Sequence, residues 1–216
     1  MSNISANTLF HFTDTKVNLL SILGNGFHPF YSKNGVEQIE PAQEDFEIPM
    51  VSFCDIPLSQ VQEHINFYGS YAIGLSKEWG IKNNINPVHY NTHNSIIMKG
   101  LDIINFIGDN IKDEYQFAKL FNSLIKFVVY FKFYDGYSYQ KNKKEYEKKL
   151  FYNEKEWRYV PSIEEMGKFG LYPLIKRDTY NEFQWEDAKE KLKVNFKLGF
   201  SPNNIHYIIV KTDSEI

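Results

Sequence analysis

The 216-residue chain contains one cysteine, Cys54. A single thiol builds neither an intrachain disulfide framework nor a cysteine-based metal site. It is compatible with a reducing compartment, and the cytoplasm is the expected location. Nothing basic stands near Cys54 in sequence to favour a thiolate, so it reads as a buried structural thiol. No apolar run approaches the roughly 20 residues of a membrane span. The opening MSNISANTLF lacks a basic segment followed by an apolar one, so neither a secretory signal nor a membrane partner is expected. Positive charge is not in excess either: the formal net charge is −3 and the pI about 6.1. That argues against a basic coat for bulk nucleic-acid binding and leaves room for a local patch. Neither a G-x-G-x-x-G nor a Walker phosphate loop occurs, and no G-x-S-x-G elbow presents a nucleophilic serine.

Aromatic residues are abundant, with 18 Phe and 15 Tyr. Many tyrosines suit a ligand groove lined by rings, although in a chain this rich in Lys, Asn and Ile they also follow from coding bias. The length suits one sizeable core, so a single domain over 1–216 is expected, with a helical insertion at about 91–135.

The organising stretch is IPMVSFCDIPLSQVQEHINFYGSYAIGLSKEWG, residues 48–80. Residues 49–54 read as a buried strand. Ser59 opens a helix with Gln62 at capping-box spacing, and Val61, Ile65 and Tyr68 share a face. Gly69 closes it, residues 71–75 form a second strand, and Ser76 caps the next helix. Ser52, Cys54, Asp55, His64, Tyr68, Ser70 and Tyr71 are more polar groups than a plain core strand needs. The alternative is a strand pair whose polar residues face water.

Residues 8–13, TLFHFT, alternate as a strand, with Phe10 and Phe12 on one face and His11 on the other. Asp14 or Thr15 caps a helix buried through Val17, Leu20 and Leu23, or through Leu19, Ile22 and Leu23, and Gly24 and Gly26 end it. Residues 33–47 read as a surface loop or lid. His89 and His93 have the i, i+4 spacing of metal ligands, but Pro87 disfavours a helix there and no third ligand is spaced to help, so no metal is expected. Residues 94–107 and 113–130 form two helices. The run 141–149 holds five Lys and two Glu and reads as a solvated face. Residues 151–161 are extended, 184–192 helical, and 194–198 and 205–211 strands. The apolar run Ile208–Val210 suggests that the last strand is central.

Three polar groups on separate segments are candidates to converge: His11, the Ser52/Tyr68/Tyr71 cluster, and Glu154 with Glu156. On residues alone, the two glutamates read rather as a solvated strand edge paired with Lys155 and Arg158.

LFHFT followed by NLLSILGNGF, then IPMVSFCDIPLS, YGSYAIGLSKEWG, INPV and EKEWRYV, resembles the AbiGi family of phage-defence (abortive infection) proteins, which has been labelled an antitoxin component. More distantly, the order of strand-His, helix ending in Gly, Ser-strand, Tyr-rich segment and late E-x-E resembles ADP-ribosyltransferases of the DarT type. That resemblance implies an α+β fold, a mixed split β-sheet of ADP-ribosyltransferase type with flanking helices around an NAD cleft. It implies that His11 bonds the nicotinamide-side ribose, helped by Phe12 and Thr13, and that Ser52 supports the strand beneath. Tyr68 or Tyr71 would stack on the nicotinamide. Glu156 would be the catalytic carboxylate, with Glu154 completing E-x-E, since breaking the nicotinamide–ribose bond builds positive charge on the sugar. NAD would be the substrate, RNA or DNA the acceptor, and a cognate toxin or antitoxin protein a partner. The other implied reading is a catalytically silent antitoxin.

Overall fold

The structure, a computed structural model, describes residues 7–33, 46–100, 103–140, 145–176 and 179–216. The first half runs β1 (Thr8–Thr13), α1 (Lys16–Asn25), β2 (Phe30–Lys33), β3 (Phe46–Cys54), α2 (Val61–Tyr68), β4 (Tyr71–Ser76), α3 (Lys77–Lys82), β5 (Asn86–Pro87), β6 (His89–Asn91), α4 (Ile96–Gly100) and α5 (Ile103–Asn110). The second half adds α6 (Glu114–Val128), β7 (Phe131–Phe133), β8 (Gly136–Gln140), β9 (Glu145–Lys149), β10 (Glu156–Tyr159), α7 (Ile163–Lys168), β11 (Ile175–Lys176), α8 (Glu182–Asn195) and β12 (Ile205–Ile209).

The main sheet is antiparallel, in the order β12-β4-β1-β3-β10-β5, with β2 and β11 pairing the far end of β3. Period-two alternation makes its central strands. Leu9, Phe53, Ile73 and Leu75 pack with Trp79 of α3 and Leu19 of α1 on one face, while Phe10, Cys54, Ile56 and Val61 of α2 pack on the other. A third cluster joins Ile48 and Met50 to Ile125, Met166 and Leu192, which brings α6, α7 and α8 onto the end of β3.

The sheet is not evenly closed. β1 pairs β4 over six residues but β3 only at Phe10 opposite Cys54. Beyond that point β1 and β3 part, and β2 takes up the same strand from Met50 to Glu47. The result is a mixed helix-and-strand fold around an antiparallel sheet with a split beside Ser52.

Several local expectations hold. Thr15 caps α1, accepting from the Asn18 amide, and Ser76 caps α3 through the Trp79 amide. Leu19 is buried whereas Val17 and Leu20 are exposed, which selects the stripe through Leu19. Others do not. Residues 58–60 form a 3-10 turn and α2 begins at Val61 with no side-chain cap, so the Ser59 capping box does not form. The segment expected as two helices is α4, α5 and α6. Residues 194–195 complete α8 rather than starting a strand. β12 lies at the sheet edge with Ile208 50% exposed, because it pairs β4 alone and its register slips between Ile205 and Tyr207. Of the expected loop at 33–47, residues 34–45 lie outside the described residues.

Candidate active site

Antiparallel register puts Glu156 opposite Cys54 and Arg158 opposite Ser52, so these four side chains share the face that carries Phe10. Trp157 and Tyr159 take the other face and enter the apolar core. Glu154 arrives by a different route. Residues 151–154 form a 3-10 turn rather than the expected strand, and Lys155 adopts a left-handed conformation at φ 45°. That reversal lays Glu154 beside Glu156, although strand alternation breaks between them.

Both glutamates are buried, at 3% and 4% exposure, so the solvated-edge alternative does not describe them. Burial of that depth requires partners. Arg158 donates from Nε to Glu156 Oε1 at 2.6 Å and from Nη2 to Oε2 at 3.4 Å. Ser52 Oγ donates to Glu156 Oε1 at 2.8 Å. Lys132 of β7 bridges the two carboxylates, donating to Oε2 of each. Tyr68 donates its hydroxyl to Glu154 Oε1. Lys149 of β9 lies 2.8 Å from both that carboxylate oxygen and the Tyr68 hydroxyl, with its ammonium over the rings of Phe67 and Tyr68. The Tyr90 hydroxyl accepts from the Glu156 amide at 2.8 Å.

Burial alone would raise both carboxyls, but the cations outweigh it. Arg158 and Lys132 hold Glu156 well below the ordinary carboxylate range, and Lys132 and Lys149 hold Glu154 below it too. Burial and the Glu154 carboxylate push the Tyr68 hydroxyl up. Burial pushes the Cys54 thiol well up, which leaves it neutral beside the carboxylates.

His11 fills the split. Its ring packs edge-on against Phe27, with centroids 5.0 Å apart, and its Nδ1 reaches the Ser52 carbonyl at 2.8 Å, a bond that the missing β1–β3 ladder would otherwise make. Burial lowers its pKa.

With the exception of Lys149 and Tyr90, these polar groups line a cavity of about 620 Å³ whose walls include Phe12, Phe30, Tyr31, Phe67 and Phe151. His11, Phe12, Ser52, Tyr68, Glu154 and Glu156 therefore meet in one place. Tyr71 does not join them: its ring is buried in the apolar core and its hydroxyl donates to Glu215 at 3.0 Å. Of the two stacking candidates, only Tyr68 faces the cavity. Thr13 is buried in β1, opposite Tyr71, and is not in the lining. The expected solvated run is corrected at Lys149, a 10%-exposed member of the site, while residues 141–144 lie outside the described residues.

Sequence reasoning passed over Lys132, Lys149 and Tyr90 as members of the site. Arg158 could have been found, because E-W-R puts Glu156 and Arg158 two apart on one strand face. His89 and His93 are not on a helix, and the His93 ring lies 4.1 Å from Phe133. Among the described residues, no cluster of three or more His, Cys, Asp or Glu could hold a metal, and no helix is long and apolar enough to cross a membrane.

The family model described as abortive phage resistance protein AbiGi, antitoxin, matches residues 31–211. The abortive phage resistance protein AbiGi of Lactococcus lactis subsp. cremoris is 32% identical over 205 residues, covering 85% of this chain and 82% of its own. No solved structure matches.

Proposed function

The chain belongs to the AbiGi family of abortive phage resistance proteins, and on that premise we propose that it acts in phage defence by cleaving NAD at the split in its sheet and transferring ADP-ribose to a macromolecule. One observation carries this reading: His11, Ser52, Tyr68, Glu154 and Glu156 come from separate segments and line a single cavity of about 620 Å³. Pockets of roughly 300–1,000 Å³ are the usual size for cofactor-scale ligands.

In this reading Tyr68 presents its ring to the nicotinamide and His11 contacts the adjoining ribose. The bond from the ribose anomeric carbon to nicotinamide breaks, and its electron pair leaves with the ring nitrogen, which neutralises the pyridinium. The acceptor forms a bond to the same carbon and gives up a proton. Ionised Glu156 offsets the positive charge that develops on the sugar. Glu154, hydrogen-bonded to Tyr68, orients the acceptor, for which a nucleic acid is the class that the resemblance favours.

A second reading is that the protein is a silent antitoxin that binds a partner toxin. The description of the matching family as an antitoxin favours it, as does the hold of Arg158 and Lys132 on Glu156, which neutralises that carboxylate within the protein.

Release of nicotinamide from NAD by the purified protein separates the two. The expected result is measurable cleavage by the wild type and a loss of about 10²–10³ in rate for Glu156→Gln, the usual effect of removing one such electrostatic contact. Because Glu156→Gln also deprives Arg158 of its partner, Tyr68→Phe serves beside it: it keeps the ring and drops the hydroxyl. A folded wild type that leaves NAD intact, alone or with RNA and DNA present, overturns the transferase reading.

A further inference from the structure

Charges in the buried cluster beneath the cavity do not balance, with Lys149 standing behind the lining and Lys132 and Arg158 in it. Lys132, Lys149 and Arg158 surround Glu154 and Glu156, so three cationic side chains meet two carboxylates. None of the five side chains is more than 10% exposed. Glu47 also lines the cavity, but it stands five residues along β3 from Ser52, about 17 Å away at the rise of a strand. The other groups at the floor, the Cys54 thiol and the Tyr68 hydroxyl, are neutral, since burial raises both pKa values. His11, its pKa lowered by burial, adds no charge at neutral pH.

A buried charge left without a counter-charge costs several kcal/mol. Burial draws the Lys149 ammonium below its ordinary range, as a surplus cation requires. Lys132 lines the cavity directly, and an ammonium has three donors. Two of them go to the carboxylates, and the ammonium stands 5.1 Å over the Phe151 ring, so among the described residues no oxygen or nitrogen acceptor takes the third. Aromatic walls rise beside this floor at Phe10, Phe12, Phe67 and Tyr68.

We propose that Lys132, backed by the charge of Lys149, forms an anion subsite in this cavity that takes a phosphate group of a nucleotide whose ring lies against the aromatic wall. Flat aromatic faces next to a fixed ammonium match a ring joined to a phosphate, and lysine binds phosphate as a point charge. This rests on reading the cavity as a nucleotide site and deepens it by naming the group that supplies affinity. It requires neither the NAD cleavage nor the transfer step.

The test is calorimetry on the full chain with ADP, adenosine and inorganic pyrophosphate. ADP is expected to bind at least about tenfold more tightly than adenosine, with an affinity that falls as salt rises. Lys132→Met should abolish the difference between ADP and adenosine, and Lys132→Arg should restore most of it. Lys149→Met, which removes the surplus charge from behind the wall, should cost ADP about tenfold more than it costs adenosine. Equal affinity of the wild type for ADP and adenosine, or binding of neither, overturns the subsite. So does a Lys149 that nitrogen NMR shows to be neutral at pH 7, because no surplus then exists. Wild-type measurements need no variant to fold, and circular dichroism screens the variants. Nicotinamide release is scored separately: ADP preference without NAD cleavage keeps the subsite and removes the transferase reading, whereas cleavage without ADP preference does the reverse.

Discussion

Arg158 shows at the scale of one residue how closely the site and the core are bound together. It is 1% exposed, and besides its bonds to Glu156 its Nη1 donates to the carbonyls of Val129 at 2.9 Å and Phe131 at 3.3 Å. The same guanidinium thus holds the carboxylate and ties β10 to the segment that carries Lys132. Removing one partner of a buried pair typically costs about 3–5 kcal/mol. Arg158→Met should lose about that much in denaturant unfolding, because it takes one of two cations from the buried Glu156 and leaves the Val129 and Phe131 carbonyls without their donor. Titration adds a second expectation. Burial depresses the pKa of His11 in the fold, so the unfolded chain takes up a proton that the folded chain refuses. The stability held by His11 is therefore complete above about pH 6.5 and is lost as pH falls through the folded value. Glu154 and Glu156 are also depressed, so their share is complete above about pH 4.3 and is lost as acid reaches their lower folded values. Melting temperature against pH should fall in two stages, and His11→Gln should remove the upper one while leaving the lower.

At the scale of elements, what matters is how short segments are pinned around the split. α2 presents Tyr68 to the cavity, and Gly69 ends the helix at φ 119°, a conformation that other residues rarely adopt. A Cβ at that position would lie 2.3 Å from the Thr13 carbonyl oxygen at the end of β1. The glycine therefore sets the approach of α2 to the sheet. Gly69→Ala is expected to cost about 1–3 kcal/mol, the usual range for forced backbone strain, and to shift Tyr68 enough to weaken ligand binding. An alanine variant with unchanged unfolding and unchanged binding would show that the helix end adjusts freely. The β8–β9 hairpin is held similarly: Gly136 packs where a Cβ would meet the Phe151 ring at 2.8 Å, and Lys149 fastens the end of β9 to Tyr68 and Glu154. Tyr137 and Ser138 of the same hairpin line the cavity, so its position bears on the site directly.

For the whole molecule, the choice between toxin and antitoxin is a choice about what the cell experiences. Expression of the wild type alone should slow growth if the cavity consumes NAD, and Glu156→Gln should relieve that effect. If the protein is an antitoxin, both are harmless alone and the wild type rescues cells from a separate toxin. Growth curves of the two strains, with cellular NAD measured beside them, distinguish these outcomes.

Local patterns in the sequence were enough for β1, β3 and β4, for the caps at Thr15 and Ser76 and for the stop at Gly69, because alternation and capping depend on neighbours within about four residues. They also identified His11, Ser52, Tyr68, Glu154 and Glu156 as candidates, though not the contacts that join them. Lys132 meets Glu156 across 24 residues of chain, and Tyr68 meets Glu154 across 86. Nothing local signals such pairings; they form because carboxylates taken out of water must find a counter-charge wherever the fold supplies one. Tyr71 was misjudged for the converse reason: strand alternation separates it from the polar groups near it in sequence, but only the packing shows which face holds the cavity. The Ile208–Val210 run suggested a central strand, yet whether a strand is central depends on which others pair with it, and β12 has only β4. The residue types were present in the chain from the start, and the closed network of three cations around two carboxylates exists only where β3, β7, β9 and β10 meet.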